Sequence, residues 1–139
     1  MTVRTNSRGF TLVEILIVVI ILGILAAIVV PQFTEASADA KVSALTSDLQ
    51  TVRSQLELYK LQHDGDYPSD IVTQLTTQTD VNGDEGSDFG PYLTKFPTNP
   101  FNSSAGVKTT DSAGSGDEGW WYDSSTGEFC PNDADHTGM

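Results

Sequence analysis

The sequence predicts an α+β protein in which a long N-terminal helix, apolar at first and amphipathic later, packs on a small C-terminal antiparallel sheet. Three observations predict this class. Residues 10–30 are almost wholly apolar, and residues 38–59 repeat an apolar side chain at helical spacing. Residues 107–130 contain short aromatic and β-branched segments separated by Gly, Ser and Asp. A chain of 139 residues has room for one small domain after such a helix.

The apolar segment, residues 10–30, is long enough to cross a membrane. As a helix it extends roughly 31 Å, close to the hydrocarbon thickness of a bilayer. A buried core helix is disfavoured because the rest of the chain is too polar to enclose it. A cleaved secretory signal is disfavoured because residues 31–33 form no small-residue cleavage site. Arg4 and Arg8 precede the segment and acids follow it, which predicts a single pass with the N-terminus in the cytoplasm and the bulk outside.

One charge, Glu14, lies within this segment. An acid near the centre of a bilayer costs roughly 2.5–3.5 kcal/mol, and less near its edge. Intramembrane acids usually have a positive partner, and no Lys or Arg lies within the segment. Glu14 is therefore either close enough to the headgroups to stay hydrated or paired with a cation from another chain or a new N-terminus.

The residues around Glu14 resemble a known signal. Arg8-Gly9-Phe10-Thr11-Leu12-Val13-Glu14, followed by an unbroken apolar stretch and Pro31, resembles the class III signal of type IV pilins and type II secretion pseudopilins. The resemblance implies a pilin-like fold and a leader, residues 1–9, that prepilin peptidase removes between Gly9 and Phe10. It also implies N-methylation of Phe10 and pairing of Glu14 with the N-terminal amine of a neighbouring subunit during filament assembly.

Pro31 marks the end of the apolar segment. The resemblance implies that the helix kinks or melts near Pro31 in a filament, whereas the sequence also allows Pro31 to start a second helix at its first turn. The chain is thus predicted to comprise the leader, a transmembrane and assembly helix at 10–30, an amphipathic helix at 31–62 and an α+β region at 63–139.

An apolar stripe marks the amphipathic helix. It favours packing on the chain's own sheet over a short coiled coil, and its members are Ala38, Val42, Leu45, Leu49, Val52, Leu56 and Tyr59.

The C-terminal region begins with helix-ending residues 63–66, after which Asp70 is placed to cap a short helix. Residues 107–110 are a candidate strand. Residues 119–122 and 128–130 are predicted to pair as a hairpin across the turn 123–127. Residues 131–139 are expected to be frayed.

The order YPSD, GPYL, FPTNPF and GWWYDSSTGEF resembles the G-type major pseudopilins of type II secretion. This implies an inner-membrane subunit that polymerises with itself and minor pseudopilins into a periplasmic filament driving protein secretion, with prepilin peptidase, the inner-membrane secretion platform and the lipid bilayer as partners. The alternatives are a type IV pilus subunit for adhesion or motility and a monomeric single-pass ligand-binding protein. The lone Cys130 excludes the paired-cysteine loop of many type IV pilins.

Composition argues against other classes. Seven basic and 19 acidic residues give a net charge of −12, and the bases are scattered, so nucleic acid is not a predicted partner. His63 lies near Asp64 and Asp66, but no Ser or Cys nucleophile motif accompanies it, so no catalytic residue and no enzyme activity are predicted.

No cofactor is required by the sequence, and Ca²⁺ is the one ion that its acidic loops suit. The first acidic loop, residues 80–88, offers Asp80, Asn82 and Asp84, although Glu85 occupies the glycine position of an EF-hand. The second acidic loop, residues 111–118, offers three carboxylates, which are Asp111, Asp117 and Glu118.

Overall fold

The computed structural model describes residues 9–110 and 112–139, and it confirms the α+β class. Helix α1 spans Leu12–Gln62 and helix α2 spans Ile71–Thr76. The three strands are β1 (Val107–Lys108), β2 (Trp120–Asp123) and β3 (Glu128–Pro131), in the sheet order β1-β2-β3. The chain divides into two compact units with the boundary between Ala40 and Lys41.

In the first unit, α1 carries the apolar segment, and its side chains are exposed throughout. Within the described part of the chain, α1 is the one helix long and apolar enough to cross a membrane. The helix runs without a break through Pro31, so Pro31 does not start a second helix. The kink expected in a filament stays a prediction.

In the second unit, α1 uses the predicted stripe to form one side of the core. Burial begins at Leu45, whereas Val42 is 37% exposed. The first members of the predicted stripe therefore lie outside the core. Fully burying each large apolar side chain contributes roughly 1.5–3 kcal/mol. The stripe and the aromatic residues of the sheet form a single cluster, which comprises Leu45, Leu49, Val52, Leu56, Tyr59, Ile71, Leu75, Phe96, Trp120, Tyr122 and Phe129.

The loops on either side of α2 are held by the two aromatic residues that β2 buries. The hydroxyl of Tyr122 donates to the carbonyl of Pro68 at 2.9 Å, and the indole N–H of Trp120 donates to the carbonyl of Pro97 at 3.0 Å. Trp121, which alternates with them, is only partly buried. At α2 itself, Asp70 caps the helix by accepting from the backbone N–H of Thr73 at 3.2 Å, as predicted.

The sheet is mixed rather than purely antiparallel. The predicted hairpin forms, with Trp121 opposite Cys130 in antiparallel register. Strand β1, however, pairs with β2 in parallel, with Val107 opposite Trp120. The prediction of a purely antiparallel sheet is therefore wrong at β1. Parallel neighbours need a long connection between them, and here the chain between β1 and β2 includes the second acidic loop.

The prediction that residues 131–139 are frayed is wrong for residues 131–136, the first of which, Pro131, is buried in β3. Asn132 is fully buried, and its side-chain oxygen accepts from the backbone N–H of Gly114 at 2.9 Å. His136 stacks on Phe101 at 4.1 Å between centroids and hydrogen-bonds Asp133. Hydrogen bonds of polar side chains hold this segment in place. The spacing of apolar residues in the sequence does not predict such contacts.

Candidate functional site

The predicted cleavage site lies at the exposed beginning of the described chain. Phe10 is 83% exposed. A Cβ added to Gly9 would meet no atom within 4 Å, and Gly9 does not have a positive φ, so the fold itself does not require glycine there. If glycine is needed at this position, the need arises from recognition of the chain by another protein, such as a peptidase. The remaining leader, residues 1–8, lies outside the described residues.

Glu14 forms a capping box with Thr11 at the N-terminus of α1. Its carboxylate accepts from the backbone N–H of Thr11 at 2.8 Å and from the Thr11 hydroxyl at 2.7 Å. The Thr11 hydroxyl oxygen in turn accepts from the backbone N–H of Glu14 at 3.2 Å. This reciprocal pair satisfies two backbone donors that a helix start leaves unpaired. Sequence reasoning missed it, although a Thr three residues before a Glu at the start of an apolar run is its signature.

The capping box places a carboxylate at a fixed position without neutralising it. Within residues 9–110 and 112–139, no Lys, Arg or His lies within ion-pair distance of Glu14. All groups of the box lie after Gly9, so cleavage between Gly9 and Phe10 leaves them in place. The arrangement therefore presents an acceptor for a cation near the start of an exposed apolar helix.

In the first acidic loop, the carboxylate of the predicted calcium ligand Asp80 accepts hydrogen bonds from the loop's own backbone. One carboxylate oxygen of Asp80 accepts from the backbone N–H of Asn82 at 2.8 Å and of Asp84 at 3.1 Å. Desolvation works to raise the pKa of Asp80, but these hydrogen bonds outweigh it and lower that pKa. The loop is thus a turn closed by its own first acid.

In the second acidic loop, the two described acids have different partners. Asp117 lies 3.8 Å from the Lys108 ammonium, and Glu118 accepts from the Ser104 hydroxyl at 3.2 Å. The third candidate ligand, Asp111, lies outside the described residues. Across the part of the chain that is described, no three His, Cys, Asp or Glu side chains converge as a metal site. Calcium binding therefore stays a prediction.

His63 and Cys130, whose residue types can serve in catalysis, are both buried. His63 is 2% exposed, stacks on Tyr59, and contacts the Tyr59 carbonyl and the Thr79 hydroxyl at 2.8 and 3.0 Å through its two ring nitrogens. Cys130 is buried in β3, and burial raises the pKa of its thiol, which disfavours the reactive thiolate. Both side chains therefore act in packing.

Comparison with known families matches two parts of the chain. Residues 4–30 match the prokaryotic N-terminal methylation motif, and residues 32–117 match the family of type II secretion system protein G. The first match covers the capping box and the apolar segment, and the second covers most of the C-terminal unit.

Individual relatives agree with these matches. The type II secretion system core protein G of Pseudomonas aeruginosa is 38% identical over 104 residues, which are 70% of this chain and 70% of the relative. The core protein G of Pectobacterium carotovorum is 33% identical over 102 residues, or 69% of this chain and 63% of the relative. A fimbrial protein of Neisseria meningitidis is 36% identical over a shorter 81 residues, or 58% and 47%. No solved structure matches the chain.

Proposed function

This chain belongs to the family of type II secretion system protein G, and from that membership we propose that it is a pseudopilin of a type II secretion system. In this proposal, prepilin peptidase cuts between Gly9 and Phe10 and the new N-terminal residue is methylated. The subunit is held in the inner membrane, with its C-terminal unit in the periplasm. It then polymerises with itself and minor pseudopilins on the inner-membrane platform into a filament that drives protein export.

The observation that carries the proposal is the lone carboxylate of Glu14 in an exposed apolar helix. After cleavage, the amine of Phe10 is positive near neutral pH, with a reference pKa of about 7.7–8.0. Within one chain this amine belongs to the residue before Thr11, one turn from the Glu14 carboxylate. Both charges are costly in lipid, and each would be stabilised by an opposite charge from a neighbouring subunit.

Pairing between subunits would fix their axial register. A copy displaced along the helix axis brings its own amine beside the Glu14 carboxylate, and the same contact repeats for every further copy. A head-to-tail contact of this kind closes into a ring or continues as a helical filament. The charge pair then acts as a register device more than as a source of stability.

The test replaces Glu14 in two ways. Glu14→Gln keeps the side-chain oxygen that caps Thr11 but removes the charge, whereas Glu14→Leu removes both. We expect both variants to be cleaved and inserted normally, and both to lose filament formation and secretion to the same degree. Glu14→Leu should insert at least as well as the wild type, since it removes a polar group from the membrane.

Two outcomes separate the explanations. If Glu14→Gln assembles normally and Glu14→Leu does not, the capping box matters and the charge pair does not. If both assemble and secrete normally, Glu14 is a hydrated bystander and the proposal is wrong. Cleavage and membrane fractionation of each variant are the controls that separate assembly from processing.

A type IV pilus subunit is the second candidate, and the alignment with the Neisseria fimbrial protein favours keeping it. Both functions use the same N-terminal helix, so the Glu14 variants do not distinguish them. Deletion of this chain in its own organism does: loss of secreted proteins with surface pili retained supports the pseudopilin, and the reverse supports the pilus subunit.

A further inference from the structure

The C-terminal unit carries almost all of the negative charge of the chain. Residues 41–139 contain five basic and 16 acidic side chains, a formal charge of −11, whereas residues 1–40 contribute only −1 to the total of −12. The unit that carries this charge is the one that the proposed function places in the periplasm. A net charge so far from zero makes copies of a protein repel each other.

Few of these acids have a cation beside them. Among the described residues, Asp117 lies 3.8 Å from the Lys108 ammonium, and Asp133 is paired with His136. The Asp117 side chain is 78% exposed, so water weakens its pair. No other described acid of the unit has a described Lys, Arg or His within ion-pair distance. The excess charge is therefore not neutralised locally.

Several basic side chains of the unit are engaged by neutral groups. Arg53 donates through Nε and Nη2 to one main-chain carbonyl of β3, at 3.0 and 2.8 Å. The ammonium of Lys60 lies 4.3 Å from the centroid of a tyrosine ring, which is cation–π geometry. Lys41 and Lys95 are the exposed lysines that remain to pair with acids of another copy.

Exposed acids outnumber these two lysines and are spread over the unit. Asp64, Glu85, Asp88 and Glu128 are all exposed, and their carboxylates make no hydrogen bond or ion pair with a described residue. They lie in three separate segments, which are the loop after α1, the first acidic loop and the start of β3. Contacts between two copies of the unit therefore bring acids near acids, whichever faces meet.

Assembly of a filament would bring these charged units close together. Exposed charges interact over a Debye length, which is about 30 Å at 0.01 M ionic strength and about 8 Å at 0.15 M. Repulsion between the C-terminal units therefore weakens as salt is added. The pair proposed between Glu14 and the amine of Phe10 lies in lipid, where salt screens it much less. Salt thus reduces the repulsion and leaves the attraction in place.

We propose that the charge of the C-terminal unit opposes self-assembly and that dissolved cations relieve this repulsion, so that the filament becomes more stable as the ionic strength rises. The cations act by screening, and no particular bound ion is needed. A filament held together by ion pairs between C-terminal units would show the opposite dependence, because salt weakens exposed pairs. This inference rests on the proposed function, since it requires that the chain forms a filament.

The test measures how salt changes the stability of filaments of the full chain. Filaments are sheared from cells of its own organism and diluted into a mild non-ionic detergent, which keeps released subunits in solution. NaCl is varied from about 0.01 to 0.5 M, and millimolar Ca²⁺ is held constant so that any specific calcium site keeps the same occupancy. We expect the concentration of released subunit, measured after sedimentation, to fall about tenfold across this range.

Two matched variants separate charge screening from the general strengthening of apolar contacts by salt. The neutralised variant combines Asp64→Asn, Glu85→Gln, Asp88→Asn and Glu128→Gln, which brings the charge of residues 41–139 from −11 to −7. The charge-preserving control combines Asp64→Glu, Glu85→Asp, Asp88→Glu and Glu128→Asp. We expect the neutralised variant to release less subunit at low salt and to respond to salt at least about threefold less, because less repulsion remains to be screened. The control should respond as the wild type does.

The outcomes separate this proposal from the proposed function. Filaments that dissolve as salt rises, or a neutralised variant that responds to salt as strongly as the wild type, would overturn the proposal and leave the pseudopilin assignment intact. If no filament formed at any salt concentration, in the wild type or in either variant, the proposed function would be wrong and this inference with it.

Discussion

Asn99 joins three segments of the C-terminal unit, and its replacement by alanine should destabilise that unit strongly. It is fully buried. Its amide donates to the carbonyl of Gly119 at 2.8 Å and to the carboxylate of Asp133 at 3.2 Å, and its oxygen accepts from the backbone N–H of Phe101 at 2.8 Å. In Asn99→Ala, Gly119 keeps a second bond from the backbone N–H of Asn132, whereas Phe101 loses its acceptor.

The expected cost follows from these contacts. The backbone N–H of Phe101 is partly buried, and leaving such a donor without an acceptor costs about 1–3 kcal/mol, while the lost bond to Gly119 adds about 0.5–1.5 kcal/mol. The free energy of unfolding should therefore fall by about 2–4 kcal/mol, which lowers the melting temperature by roughly 10 °C or more for a unit of this size.

The assay is urea and thermal unfolding of residues 34–139, which contain the whole core cluster. Asn82→Ala is the matched control, because Asn82 is exposed and its loss should change the free energy of unfolding by no more than about 0.5 kcal/mol. If Asn99→Ala were as stable as Asn82→Ala, the hydrogen bonds of Asn99 would not support this unit.

Three further predictions concern stability. Gly127→Ala should lower the free energy of unfolding by at least about 2 kcal/mol, because φ is +78° and the new Cβ would lie 2.2 Å from the Tyr67 ring; an unchanged urea midpoint would contradict this. Burial works to raise the pKa of Asp133, but hydrogen bonds from His136 and Asn99 outweigh it and lower that pKa. Asp133 thus contributes stability above its unfolded pKa of about 3.9 that is lost as the pH falls through its lower folded pKa, and Asp133→Asn should flatten this acid loss in a pH series of unfolding curves. If either acidic loop binds Ca²⁺, excess Ca²⁺ should raise the melting temperature of residues 34–139 more than Mg²⁺ does, and identical melting in EDTA and millimolar Ca²⁺ would exclude it.

The sequence predicted those elements that rest on local patterns. The stripe that includes Leu45 and Leu56 has helical spacing, Asp70 is a favoured capping residue, and the turn at 123–127 separates two aromatic segments. Each signal lies within a few residues of the structure that it predicts. The α1, α2 and hairpin predictions were therefore confirmed with small differences in their bounds.

Features that depend on distant residues could not be predicted. The parallel pairing of Val107 with Trp120 depends on how residues 109–119 cross over, which no local pattern encodes. The burial of Asn132 depends on a loop that lies well before it in the chain.

The capping box of Thr11 and Glu14 is a local feature that the sequence could have predicted, although the prediction was not made. Its sequence signature, a Thr three residues before a Glu, is local, whereas the charge of Glu14 alone predicts only a cationic partner. The structure shows that the hydroxyl and the backbone N–H of Thr11 both donate to this carboxylate. In our proposal the same side chain both caps its own helix and pairs with the amine of a neighbouring subunit.

In our proposal this chain is a precursor whose mature form begins at Phe10. Intact mass of the protein extracted from membranes of its own organism measures this most directly. We expect loss of residues 1–9 and one added methyl group on Phe10, with uncut precursor accumulating in Gly9→Val. A mature chain that retains Met1, or that begins at any other residue, would contradict it.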